Sequence, residues 1–272
     1  MSAPVRLLLD PIPADPAWNM ALDEALWQGL CDGDSPPTIR IYQWRAPAIS
    51  IGRFQWVEDE VDVAACVEHG VTVVRRPTGG GAVCHGTDLT YTITAPELLG
   101  DLPRGILASY ERIHAGIAEG LRAVGIPAEL AASAERSTDP RRALPCFVRP
   151  TRFDVICDGR KVAGGAQRRG RGTLLHQGTL ALADPPLWLV RLLKKGSVPS
   201  AESRAAALPS DAVCQAIIHG LEQTLGIQCE LGVPTATEHD LAQHFVRTRY
   251  GLTAWTFHRE TCSNSVTSPV PV

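Results

Sequence analysis

The sequence predicts an α+β fold. Strand-like alternation and helical periodicity are interspersed along the chain without a strict βαβ rhythm. A two-residue Asp158-Gly159 turn joins two alternating runs, as in a β-hairpin. Hydrophobic residues make up 44% of the 272, enough for a sizeable core. No internal repeat or long linker interrupts the pattern. One domain over 1–255 is expected, with an aperiodic, frayed tail over 256–272.

The elements follow in order. "DPAWNMALDEALWQGL" reads as an amphipathic helix capped by Asp15, with Pro16 in its first turn. Leu22, Ala25, Leu26 and Leu30 form its apolar stripe. "TIRIYQW" and "AISIGRF" alternate as two strands joined through Arg45-Ala46-Pro47. A helix over Val57–His69 stops at Gly70. "VTVVRRP" is a buried-type strand, then come a glycine loop and the alternating strand "LTYTITA". Arg104–Val124 reads as a helix, and Glu129–Leu144 as an exposed, polar loop. "FDVICDGRKVAGGAQ" and "GTLLHQGTLAL" are strands, with helices near 186–195, 210–225 and 237–249.

Composition excludes several classes. Net charge is 26 − 29 = −3, so the chain as a whole is no nucleic-acid binder. No run of about 18 apolar residues predicts a membrane span. The short Leu7–Leu9 run is too brief for a secretory leader, so a cytoplasmic protein is expected. Eight cysteines occur without a CxxC pair, which fits reduced thiols and argues against zinc. No metal or cofactor is expected.

Chemistry concentrates in "PCFVRPTRFDVICDGRKVAGGAQRR". With Asp158-Gly159 as the turn, Cys157 faces Arg160, Ile156 faces Lys161 and Asp154 faces Ala163. Alternation puts Phe153, Val155, Cys157 and Val162 on a packed face. Lys161, Ala163, Gly165 and Gln167 share the other, where small residues leave a channel for a thin apolar chain. Cys146 precedes the hairpin on a loop that can fold over the lysine face. An adjacent cation favours the thiolate, the nucleophilic form. The ordinary alternatives are a half-buried structural cysteine and a snorkelling lysine. Between Arg141 and Arg171 nine basic residues face two acids, an excess of +7 that suits an acidic docking partner or a solvated hairpin tip.

"RRPTGGGAVCH" joins two strands through Gly79, Gly80 and Gly81, which permit close backbone approach to a ligand. It lacks the GK[ST] ending of a phosphate-binding P-loop. Arg75 or Arg76 is a candidate anion holder. His85 and His176 are candidate acid–base helpers or structural histidines, and Asp88 a turn or cap residue.

Together, "NMALDEAL", "RRPTGGGAVCH" and "CFVRPTRFDVICDGRKVAGGAQ" resemble the lipoate–protein ligase/octanoyltransferase family, over about residues 15–255. The resemblance implies a biotin/lipoate ligase-like catalytic fold, a mixed and largely antiparallel sheet packed with helices. It is nearest the cysteine-dependent octanoyltransferases, and on it Cys146 and Lys161 match the catalytic pair. Substrate-binding positions implied by the glycine motif are Arg75, Arg76, Thr78, Gly79, Gly80, Gly81 and His85. Those implied by the lysine motif are Ala163, Gly164, Gly165 and Gln167. The implied donor is octanoyl-acyl carrier protein, and the acceptor a lipoyl domain such as glycine cleavage H protein. Three alternatives stay open: an octanoyl amidotransferase acting between lipoyl domains, an ATP-dependent lipoate–protein ligase, and a lipoyl-domain-binding module without turnover. An arginine in "VRPT", Cys84 in the glycine motif and "AGGAQRR" depart from the octanoyltransferase pattern.

Overall fold

Eight of the nine residues of Thr173–Ala181 are buried, polar and apolar alike. That pattern belongs to a strand inside a sheet covered on both faces. The computed structural model describes residues 4–45, 47–132, 150–194 and 210–259. Its larger sheet takes β1 (Val5–Leu9), β2 (Thr38–Tyr42), β6 (Asp88–Pro96), β7 (Ala128–Leu130), β8 (Val155–Cys157), β9 (Arg160–Gly170), β10 (Thr173–Ala181) and β11 (Cys229–Leu231). A smaller sheet holds β3 (Ala48–Ile51), β4 (Thr72–Arg75) and β5 (Val83–His85). Strand order is β11-β1-β2-β6-β10-β9-β8-β7 in the first and β4-β3-β5 in the second. In the larger sheet β1 runs parallel to β2 and β11, and the remaining pairs are antiparallel. The α+β, largely antiparallel expectation holds.

One face of the large sheet packs on α4 (Ile106–Ala123) and α6 (Ser210–Leu225), through Ile113, Ile117, Leu121, Val213, Ile217 and Leu221. These helices approach closely because glycines line their crossing. A Cβ on Gly120 would lie 2.3 Å from the Ala216 carbonyl oxygen. The other face is covered by α1 (Pro16–Asp32), which is itself covered by α7 (Ala236–Phe245). Asp15 caps α1 by accepting from the Ala17 N–H at 2.9 Å, as its sequence predicts. The helix is not simply amphipathic, however. With α7 outside it, Asn19, Asp23 and Glu24 are buried as well.

The two strands around Arg45 go to different sheets, β2 to the larger and β3 to the smaller. The helix expected over Val57–His69 is two, α2 (Val57–Glu60) and α3 (Val63–Glu68). It breaks because Val61 pairs with Leu193 and Asp62 leaves the helix to cap the second piece at Ala65. The helix expected near 186–195 shortens to α5 (Leu187–Val190) for the same pairing. After α7 a π-helical turn, Val246–Tyr250, leads into α8 (Thr253–His258), which buries Trp255. Among the described residues no helix is long and apolar enough to cross a membrane. Most of the loop expected over Glu129–Leu144, and the terminal segment from 260 on, lie outside the described residues.

Candidate active site

Asp158 and Gly159 form the β8–β9 turn with φ of 52° and 74°, the positive values a two-residue type I′ hairpin requires. Cys157 pairs with Arg160 and Ile156 with Lys161, as the sequence predicts. Beyond that the register departs. A bulge between Val155 and Ile156 brings Val155, not Asp154, opposite Ala163. Ala163 is thereby turned into the core against α4 and does not share the Lys161 face.

Asp154, released from the ladder, is fully buried and becomes a junction. Lys161 Nζ lies 2.8 Å from its Oδ2. The same oxygen accepts from the Thr151 N–H at 2.6 Å and the Thr151 hydroxyl at 2.9 Å. Its Oδ1 accepts from the Tyr110 hydroxyl at 2.6 Å, and the Tyr110 oxygen accepts the Gly165 N–H at 3.0 Å. Burial, reinforced by Asp154, pushes the Tyr110 phenol up, so it stays a donor. Lys161 reaches Asp154 by lying across Gly164, where a Cβ would meet Cε at 2.3 Å. Gly164 is therefore a space requirement, not a flexible joint.

Lys161 borders a pocket of about 480 Å³, counted to its open mouth, between the large sheet and the small one. Gly164, Ala166, Gln177, Thr179 and Thr90 form the large-sheet wall. Ser50, Arg76, Gly80, Val83 and His85 face them, with Met20, Tyr42 and Trp44 completing the enclosure. Gly165 and Gly178 also line it.

The glycine loop is held rigidly. Arg76 donates to the Ser50 carbonyl and hydroxyl at 2.9 and 2.6 Å, and to the carbonyls of Gly79 and Gly81 at 2.9 and 2.8 Å. Gly80 has φ +87°, and its carbonyl sits where a Cβ on Gly52 would be. The Thr78 hydroxyl donates to Gln177 Oε1 at 2.7 Å, and Gln177 Nε2 donates to Asp23 at 2.7 Å. Arg75 is not an anion holder. Its fully buried guanidinium serves the carbonyls of Gly52, Arg53, Gln55, Trp255 and Thr256.

His85 lines the pocket, stacked on Trp44 with ring centroids 3.9 Å apart. Its Nδ1 is 2.8 Å from Asp88 and its Nε2 2.6 Å from the Ser50 hydroxyl. Asp88 makes the expected turn contact with the Gly86 N–H, and also holds Thr90 and Thr179. Burial opposes its ionisation, but His85 and these donors hold its carboxyl below the usual range. The Ser50–His85–Asp88 row is not a nucleophile relay. Ser50 is fully buried and already accepts from Arg76. Cys84 is likewise inert, because burial and then Asp88 push its thiol up to about 12.

Gln167 and His176 belong to the opposite face of the sheet, against α4. Gln167 Oε1 accepts from the Ser109 hydroxyl at 3.1 Å, and its Nε2 lies 3.2 Å from His176 Nδ1. His176 Nε2 is buried with no partner among the described residues. His114 lies beside it, with Nδ1 2.7 Å from the Phe153 carbonyl oxygen and Nε2 3.1 Å from the Tyr91 hydroxyl. Burial holds His114 neutral, down to about 4, and pushes His176 lower than an ordinary imidazole. Unfolded, each protonates near 6.5, so the unfolded chain gains protons first as pH falls. For His114 alone, stability should drop by about 3 kcal/mol between pH 6.5 and 4 and be unaffected above pH 7.5. Urea melts of wild type and His114→Gln at pH 7.5 and 5 test this. An equal pH slope in both would refute it.

Among the described residues, most of the expected basic patch is neutralised. Arg160 pairs with Asp184, Lys161 with Asp154, Arg168 with Glu24, Arg169 with Glu97 and Arg171 with Asp32. These carboxylates come mostly from distant segments, so the local excess in sequence overstates the charge in space. Among the described residues no group of three His, Cys, Asp or Glu side chains could hold a metal. Cys146 lies outside the described residues, which resume at Pro150. The sequence reading missed Asp154, Tyr110, Asp23 and Ser50. Asp154 carried a signal as one of two acids in the basic stretch, and Asp23 as the aspartate of "NMALDEAL".

Known proteins share this fold. The Octanoyltransferase LipM of Geobacillus kaustophilus (strain HTA426) is 35% identical over 278 residues, covering 95% of this chain and all of that one. LipM of Bacillus subtilis (strain 168) is 32% identical, covering 92% and 97%. A crystal structure of lipoate-protein ligase A bound with ATP superposes with a TM-score of 0.80 at 25% identity, over 94% of this chain and 99% of that one. A bi-partite lipoate protein ligase from Thermoplasma acidophilum, studied with its E2 lipoyl domain, shares the fold with a TM-score of 0.72 at 24% identity, over 94% and 97%. The lipoyl protein ligase A/B catalytic-domain model matches residues 15–220, most of the sheet and pocket just described, and the chain belongs to that family.

Proposed function

We propose that this protein moves an octanoyl group from acyl carrier protein, through a Cys146 thioester, to a lysine of a lipoyl domain such as glycine cleavage H protein. The observation that carries the reading is the buried Lys161–Asp154 pair at the edge of the pocket. Asp154 also binds Thr151, five residues after Cys146. The similarity to octanoyltransferases over nearly the whole chain supports octanoyl as the group moved, in the service of lipoate assembly.

In the first step the Cys146 thiolate, favoured by the Lys161 ammonium, attacks the donor thioester carbonyl. The donor C–S bond breaks, the carrier thiol leaves and takes up a proton, and a new thioester remains on Cys146. In the second step the acceptor lysine ε-amine attacks that thioester. An amide forms, the Cys146 thiolate departs, and the proton lost by the amine passes to solvent or through Lys161. One thioester replaces another, so no ATP is consumed. Reduced thiols of this kind suit the cytoplasm.

Structural likeness to an ATP-bound ligase keeps one rival in view. Intact-mass measurement separates the readings. Incubation with octanoyl-acyl carrier protein and no ATP should give a hydroxylamine-labile octanoyl adduct, absent in Cys146→Ser. An adduct with octanoyl-lipoyl domain as the only effective donor would instead identify an amidotransferase. Lipoyl-domain modification only with free acid and ATP would identify a ligase.

A further inference from the structure

Strand β9 continues beyond the pocket. Gly164, Ala166 and Arg168 alternate onto one face, and the first two line the pocket. Arg168 donates to Glu24 Oε1 at 2.8 Å, with its guanidinium 4.5 Å above the Trp27 ring. Glu24 stands one helical turn beyond Met20, another pocket residue. The other oxygen of Glu24 accepts from Arg249 and from the Tyr250 hydroxyl. Arg249 lies 5.1 Å from the Trp255 ring and Arg53 5.5 Å from the same ring.

Arg53 follows Gly52, which is packed on the Gly80 carbonyl of the glycine loop. Its guanidinium makes no hydrogen bond among the described residues. Arg168 and Arg249 share the one carboxylate of Glu24, and Arg53 lies against the same Trp255 ring as Arg249, a surplus of 3 − 1 = +2 beside the pocket. Partial burial, then Arg168, disfavour the Arg53 cation, and Glu24 and Tyr250 only partly offset them. Guanidiniums laid on aromatic rings are preorganised and weakly hydrated, the arrangement suited to phosphate.

We propose that Arg53, Arg168 and Arg249 form a phosphate site at the end of the pocket, and that its occupant is the phosphodiester of the donor's phosphopantetheine arm. This rests on the transferase reading above. The Lys161 ammonium lies over Gly164, and along β9 Gly164 and Arg168 are about 13 Å apart, a span that arm bridges from thioester to phosphate without full extension. A nucleotide triphosphate would present the same chemistry, so the test separates the two sources.

Acylation is to be measured with octanoyl-phosphopantetheine and with octanoyl-pantetheine, which lacks the phosphate. Wild type should prefer the phosphorylated donor by about tenfold or more in kcat/KM, and Arg53→Glu should reduce that preference to about onefold. Calorimetric titration with unacylated phosphopantetheine should show binding in wild type and not in Arg53→Glu. An equal preference in both proteins, no preference in wild type, or binding of ATP without phosphopantetheine would overturn the proposal. Arginine-dependent phosphopantetheine binding without acylation by any thioester would leave the site standing and remove the transferase reading.

Discussion

Replacing Lys161 by alanine is expected to slow formation of the octanoyl adduct by about 10²–10⁴-fold. What remains should follow an ordinary thiol, with its pH dependence moved up toward about 8.5. The same change leaves Asp154, a fully buried carboxylate, without its cation. Breaking a buried pair from one side costs about 3–5 kcal/mol. Stability and rate therefore fall together in the single variant, and a second change separates them. Lys161→Ala with Asp154→Asn removes the uncompensated charge while keeping an acceptor for Tyr110. It should recover much of the stability and none of the rate. Quenched-flow adduct formation and urea melts on both variants decide the matter. An unchanged pH profile in Lys161→Ala would take the lysine out of the chemistry.

Asp23→Ala should be the most damaging change on the other side of the pocket. Asp23 is fully buried and accepts from Arg40 at 2.7 Å, Tyr42 at 2.8 Å, Thr92 at 2.8 Å and Gln177 at 2.7 Å. Arg40, also fully buried, would keep only Asp10 as an anionic partner. Loss of about 3–5 kcal/mol follows from the orphaned cation and donors. In a chain of this size that lowers Tm by about 10 °C. Gln177 would also lose the contact that fixes it beneath Thr78, so the glycine loop should loosen. Differential scanning calorimetry, with hydrogen exchange at Thr78–Gly81, measures both effects. A Tm within about 2 °C of wild type would refute the assignment of this cluster as a structural keystone.

Much of this architecture was legible in the sequence. The Asp15 cap, the Asp158-Gly159 turn and α6 follow from local rules, and the structure obeys them. Extrapolating a period of two along β9 failed at one bulge, and that misassigned Ala163. Neighbouring arginines divided their work for a reason no local rule supplies. Arg76 points to the glycine loop and Arg75 to carbonyls 180 residues away. Buried charges were the least legible class, because a carboxylate reads as surface until its partner is known. Asp23 meets Gln177 across 154 residues, and Glu24 meets Arg249 across 225. The site motifs were visible as strings of small residues around one lysine. Which face each occupied depended on sheet register.

The Arg75 brace has a consequence for how the protein is born. One guanidinium ties the strand before the glycine loop to Trp255 and Thr256, near the end of the described chain. A ribosome emits the loop long before it emits those acceptors, and synthesis proceeds at about 5–20 residues per second. During that interval the arginine must remain hydrated or borrow temporary acceptors. The pocket's second wall therefore matures last, and a nascent chain arrested before Trp255 would expose a half-built groove to chaperones rather than to acyl donors.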